Sequence, residues 1–122
     1  MSAAARYLAL AGALLALSGL VLAAMGSHLF DMNGMQELWR TASTIHLFSA
    51  AGLLGLAAWL ARGDSFPLKW GAWLIVAGTV VFSGSIYLHV IAGQTLGAVT
   101  PAGGMLMMAG WLLAVVSFLR KP

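Results

Sequence analysis

The sequence contains no cysteine, only three acidic residues and only six basic ones. Without cysteine there is neither a disulfide framework nor a thiolate metal site. Charged residues make up 7% of the chain, against about a quarter in soluble domains. That scarcity excludes a water-soluble globular domain and a solvated disordered tail. The formal net charge of +3 rests on so few groups that it does not describe a nucleic-acid-binding surface. What fills the 122 residues is apolar: 61% are hydrophobic, where soluble proteins carry about 45–50%.

The charges leave three long gaps. Arg6 to Asp31 encloses 24 uncharged residues, Arg40 to Arg62 encloses 21, and Lys69 to Arg120 encloses 50. A helix crosses a hydrocarbon core of about 30 Å with about 20 mostly apolar residues, so the gaps hold one, one and two spans. The long gap divides at the glycine-containing break 92–97, after which Thr100-Pro101 reads as a helix start, threonine capping and proline opening the first turn. The spans are predicted near 7–25, 41–61, 68–91 and 101–119. Backbone groups in lipid must be satisfied internally, and the period-two alternation of barrel strands is missing, so each span is helical. The expected fold is an all-α bundle of four transmembrane helices forming a single domain over residues 1–122.

Arg6, Arg62, Lys69, Arg120 and Lys121 fall on one side of this arrangement and Arg40 alone on the other. The positive-inside rule then places both termini and the Arg62–Lys69 loop in the cytoplasm of a cell bounded by a plasma or bacterial inner membrane. Tyr7, Trp39, Trp59, Trp70, Trp73 and Tyr87 lie near span ends, as expected of interfacial anchors, while Trp111 lies mid-span. Arg6 followed by an apolar run resembles a secretory signal, but its length reads as a retained helix.

Helices associate in lipid through small residues. Gly12, Ala16, Gly19, Ala23 and Gly26 follow a 4-3-4-3 spacing in the first span, and Gly103, Met107, Gly110, Ala114 and Ser117 repeat it in the fourth. Gly71, Gly78, Ser85 and His89 share a seam on the third, and Ser49, Gly52 and Gly55 occupy the second. Such seams serve internal packing or a partner subunit.

The residues that could carry chemistry are few. All three carboxylates, Asp31, Glu37 and Asp64, lie outside the spans, which speaks against a proton-coupled exporter. No phosphate-binding glycine loop or Ser-His-acid constellation is recognisable, and no catalytic residue is assigned. Ser83 and Ser85 read as hydroxyls bonding backbone carbonyls. His28, His46 and His89 each approach the same membrane face, so a three-histidine metal site is one reading. Met25, His28, Met32 and Met35 add soft donors suited to copper(I), and His46 with His89 could ligate haem axially. The alternative is that each histidine simply bonds a carbonyl or water, with no cofactor. In the outer loop, Asn33 and Gln36 resemble a capping box that starts a helix running through Trp39 into the second span.

Taken in order, these motifs resemble the small four-helix membrane family known as domain of unknown function 423, which includes transmembrane protein 256. The resemblance covers nearly the whole chain. It rests on Gly26-Ser27-His28-Leu29, on Thr41-Ala42 followed by His46, and on Phe82-Ser83-Gly84-Ser85-Ile86-Tyr87. It continues through Thr100-Pro101-Ala102-Gly103-Gly104 and closes on Gly110-Trp111. Ser49 stands where many members carry a second histidine, and His89 stands where many are aliphatic. The resemblance implies an integral plasma-membrane protein and brings no established activity, metal or haem with it.

The expected function is therefore that of a non-enzymatic membrane interaction protein or accessory subunit, with the lipid bilayer and other membrane-protein subunits as partners and no nucleic acid. The alternatives are an outer-side metal- or haem-binding protein using His28, His46 and His89, and a small channel or lipid-handling protein with a groove near Trp111, Met105, Met107 and Met108.

Overall fold

The computed structural model describes residues 1–28, 34–94 and 97–120. It contains four helices: α1 (Ala3–His28), α2 (Gln36–Leu60), α3 (Phe66–Ala92) and α4 (Val99–Leu119). All four are long and apolar enough to cross a membrane, and no strand occurs among the described residues. At 1.5 Å per residue, the 26 residues of α1 reach about 39 Å and the 21 of α4 about 31 Å. The longer helices therefore exceed a hydrocarbon core of about 30 Å and extend into the headgroups or tilt.

Each helix begins and ends for local reasons, and these lengthen the predicted spans. Ser2 accepts a hydrogen bond from the Ala5 N–H at the start of α1. Ser65 caps α3 by accepting from the Leu68 N–H, with proline in the first turn where no N–H is needed. Gly93, at φ 68°, closes α3 in the left-handed conformation that glycine adopts without steric cost. The expected start of α4 is corrected. Its cap position is Ala98, so Thr100 and Pro101 sit inside the first turn, and the Thr100 hydroxyl pairs with Ser85 of α3 instead of capping. Likewise α2 begins after Met35, which makes no side-chain cap; Asn33 lies outside the described residues.

The helices alternate in direction, so α1 and α4 begin and end, respectively, at the end that carries the α2–α3 loop. There Ala5 and Leu8 of α1, Leu53, Leu56, Ala57 and Leu60 of α2, Leu68, Ala72 and Ile75 of α3 and Ala114 of α4 form one apolar core. At the opposite end Trp39, Ala42, Ile86 and Tyr87 form a second core.

Small residues set the pairing. On α1, a Cβ at Gly12 would meet the Ala50 carbonyl and Leu53 within 3.3 Å, and one at Gly19 would meet Leu47 at 2.8 Å, so this stripe faces α2. Between α3 and α4 the backbones approach more closely. Gly71 lies against the Gly110 carbonyl, and one heptad away Gly78 lies against the Gly103 carbonyl. A repeat of seven residues keeps one face in contact along the pair, as in left-handed helix packing. Long side chains bridge α4 to α2: the Trp111 indole fills the notch over Gly52, and Met107 sulfur accepts from Ser49 Oγ at 3.7 Å. α1 packs on α2 and approaches α3, while no Cα of α1 lies within 8 Å of one of α4. The bundle is therefore open along one side.

Candidate functional site

Four polar side chains of the spans, Ser18, Ser43, His46 and Tyr87, gather in one place. Along α2, Trp39, Ala42, Ser43, His46, Ser49, Ala50 and Leu53 recur at helical spacing on the buried face. That face carries Ser43, His46 and Ser49 into the interior, where burying a polar group is tolerated only with a hydrogen-bond partner.

His46 has two such partners. Its Nε2 lies 3.0 Å from Ser18 Oγ of α1, and its Nδ1 lies 2.9 Å from the Tyr87 hydroxyl of α3. The Tyr87 oxygen is also 3.5 Å from Ser43 Oγ. A neutral imidazole carries one N–H, so the chain Ser18–His46–Tyr87–Ser43 has a direction. In one arrangement Ser18 donates to the Leu15 carbonyl at 3.2 Å. Nε2–H then donates to Ser18, and Tyr87 donates to Nδ1. In the other, Ser18 donates to Nε2, Nδ1–H donates to Tyr87, and Tyr87 donates to Ser43. Both arrangements partner both ring nitrogens of His46, and among the described residues no buried side-chain nitrogen or oxygen lacks a partner.

Further hydrogen bonds tie this cluster to the backbone. Ser83 Oγ donates to the Ala42 carbonyl across the α2–α3 contact at 2.9 Å. The Trp39 indole N–H donates to the Leu22 carbonyl of α1 at 2.8 Å, and its ring lies against Tyr87 with centroids 4.8 Å apart. Trp39 and Tyr87 are thus buried, at 3% and 7% exposure. This corrects the expectation that both anchor at the headgroups: they lie near span ends but on the inward side. Tyr7, Trp59 and Trp70 are exposed, as interfacial rings are.

The motif Phe82–Tyr87 is the junction of three helices. Ser83 reaches α2, and Tyr87 reaches His46. Ser85 donates to the Phe82 carbonyl at 2.8 Å and meets the Thr100 hydroxyl of α4. Phe82 lies against Gly103 and Gly104 of the Thr100–Gly104 motif, while Gly84 has open space beside it.

His46 and His89 are not brought together. Tyr87 turns toward His46, and a residue two positions further on a helix points about 200° away. His89 is bonded through Nδ1 to the Gln94 carbonyl at 2.9 Å, in the turn that follows α3. The side chain of His28 lies outside the described residues, as does Met32 of the methionine set. Among the described residues no three histidine or acidic side chains are grouped to hold a metal ion. Met107 is buried and accepts from Thr79 Oγ at 3.5 Å, whereas Met105 and Met108 face outward.

Sequence reasoning missed Ser18 and Tyr87 as partners of His46, and Ser43 as the partner of Tyr87. The available signal was the α2 stripe itself: polar residues placed on the apolar packing face of a membrane helix require partners from neighbouring helices.

Two grooves flank the cluster. One, of about 480 Å³, lies between the ends of α1 and α2 and is lined by Gly26, Gln36, Trp39, Arg40 and Ser43. The other, of about 510 Å³, lies on the outward side of α1 between Leu14, Leu17, Ser18 and Val21. The hydrogen-bonded chain runs from one to the other.

Comparison with known proteins gives matches in sequence. The pattern of the family described as "Protein of unknown function (DUF423)" matches residues 22–104. A UPF0382 membrane protein of Staphylococcus epidermidis is 33% identical over 106 residues, covering 80% of this chain and 86% of the relative. The UPF0382 inner membrane protein YgdD of Escherichia coli K12 is 32% identical over 119 residues, covering 94% of this chain and 91% of the relative. No solved structure matches.

Proposed function

The chain belongs to the DUF423 family of small membrane proteins, and on that premise we propose that it is a non-enzymatic interaction protein, an accessory subunit that offers α1 to a helix of another membrane protein. The observation that carries this reading is the open side of the bundle. Only 17% of the apolar window of α1 is buried within the protein, against 22% for α4, 39% for α3 and 44% for α2. Its outward face presents Leu10, Leu14, Leu17 and Val21, with Ser18 in the groove between them. In lipid, such a surface gains from close packing, and the Ser18 oxygen offers an acceptor to a donor on the incoming helix.

The chemistry of the interior supports the same reading. Glu37 occupies the exposed first turn of α2 and Asp64 the α2–α3 loop, so neither carboxylate lies where an intramembrane proton or cation carrier needs one. Both His46 nitrogens are engaged by hydroxyls, so a metal or haem would have to displace Ser18 or Tyr87. The bilayer is the bacterial inner membrane, as named for the E. coli relative, with both termini in the cytoplasm beside Arg6, Arg62, Lys69 and Arg120.

Photo-crosslinking residues placed at Leu14 and Leu17 in cells test the proposal. One adduct of constant mass is expected from both positions and none from Leu112 on α4. Purification in mild detergent as a monodisperse monomer with no copurifying chain and no adduct would overturn it.

A further inference from the structure

At the end of the bundle that carries the α2–α3 loop, a groove of about 700 Å³ opens between that loop and the last turn of α4. We propose that this groove binds the headgroup of an anionic phospholipid. Arg62 and Arg120 are among its lining residues. Among the described residues neither is within ion-pair distance of a carboxylate; the ion pair found there is Arg40–Glu37, at the other end of the molecule. Asp64 also lines the groove, so the site carries two arginines against one acid.

Arg62 is placed, not merely present. Arg62 lies over the Trp59 ring at 5.2 Å, and Trp59 meets Phe118 edge-on at 5.3 Å, so aromatic contacts hold the guanidinium beside the end of α4. Between the walls Ser65 Oγ and Ser117 Oγ are paired at 2.7 Å, joining the loop to α4 across the groove. Just outside, Lys69 lies over Trp70 at 5.9 Å. Trp59, Phe66 and Trp70 are largely exposed, as rings at headgroup level are.

This combination selects its ligand. A guanidinium binds a phosphate diester in a bidentate, planar geometry, and an unpaired one at the interface is free to do so. Exposed aromatic rings and apolar helix faces below the groove accept the acyl chains of the same molecule. A zwitterionic lipid presents its own cation to the two arginines and is disfavoured. A basic pocket between transmembrane helices at headgroup depth is the expected form of an anionic-lipid site.

Native mass spectrometry of the detergent-solubilised full chain, titrated with phosphatidylglycerol and separately with phosphatidylcholine, tests the site. At least fivefold tighter retention of phosphatidylglycerol is expected, reduced to the phosphatidylcholine level in Arg62→Gln/Arg120→Gln. Each single variant is expected to fall between, and Arg40→Gln to match the unaltered chain. Both arginines are exposed, and circular dichroism confirms that the helices persist. Should the double variant lose its helices, the single variants decide. Inorganic phosphate and glycerol 3-phosphate are included as soluble competitors and are expected not to displace the lipid. Equal retention of the two lipids, undiminished retention in the arginine variants, or displacement by inorganic phosphate would each overturn the proposal; the last would make it a site for a free anion.

Discussion

The Tyr87 hydroxyl lies 2.9 Å from Nδ1 of His46, joining α3 to α2 inside the bundle, while the other ring nitrogen of His46 joins α2 to α1. Three helices thus share one imidazole. Removing the tyrosine hydroxyl leaves Nδ1 of the buried His46 without its partner, whereas removing the Ser83 hydroxyl leaves the Ala42 carbonyl its place in the α2 ladder. Tyr87→Phe is therefore expected to cost about 1–3 kcal/mol, and Ser83→Ala about 0.6 kcal/mol, the usual value between membrane helices. Denaturant titration in mixed micelles measures both. Because the members form one chain, Ser18→Ala added to Tyr87→Phe should cost less than the sum of the two.

At Gly103 and Gly110 a new Cβ would meet backbone atoms of α3, which cannot rotate away. Gly103→Leu and Gly110→Leu are expected to destabilise by about 3 kcal/mol or more, the upper range for overpacking. Gly55 and Gly84 have nothing within 4 Å of the same position. Alanine at either should be neutral or stabilise by up to about 1 kcal/mol through helix propensity. Thermal unfolding in detergent separates the two pairs.

Trp39 and Trp59 occupy opposite ends of α2 and behave differently. Trp39→Phe removes the N–H that donates to the Leu22 carbonyl and is expected to cost about 1–2 kcal/mol. Trp59→Phe keeps an aromatic ring beside Arg62 and should change stability by no more than about 0.5 kcal/mol. Equal effects in the same unfolding assay would mean that Trp39 is not a core residue.

A histidine metal site would stabilise the folded chain by about 2.7 kcal/mol at a hundredfold excess of metal over its dissociation constant. With both nitrogens of His46 bonded and His89 turned toward Gln94, zinc or copper(I) is expected to leave the melting temperature unchanged. A rise abolished by His46→Ala would reinstate the site.

The chain lacks cysteine, so single thiols report sidedness without background. Ser2→Cys and Gly63→Cys are expected to resist a membrane-impermeant maleimide added to intact cells, and Gly34→Cys to react. Labelling of residues 2 and 63 from outside would reverse the orientation proposed from the basic residues.

Much of the architecture was legible before any coordinates. The four helices follow from charge-free runs of sufficient length, which is a property of the chain summed along itself. Their ends were read less well: the helix expected to run from the outer loop through Trp39 into the second span begins at Gln36, and α4 begins at Val99, with Thr100 bonded to Ser85 across the bundle instead of capping. The small-residue spacing on α1, α3 and α4 pointed to close seams, yet not to which seam met which. That choice depended on opposing contours, Gly71 with Gly110 and Gly78 with Gly103.

What the sequence alone determined is the number, approximate length and helical nature of the membrane spans, because lipid forces the polar backbone to satisfy its own hydrogen bonds and the alternation a barrel needs is missing. Only the tertiary structure decided where each helix turned its polar residues. Rotation about a helix axis is fixed by neighbouring surfaces, and a shift of two residues reverses the direction in which a side chain points. That is why Tyr87 pairs with His46 in the interior, while His89, on the same helix and close in depth, turns to the loop beyond it.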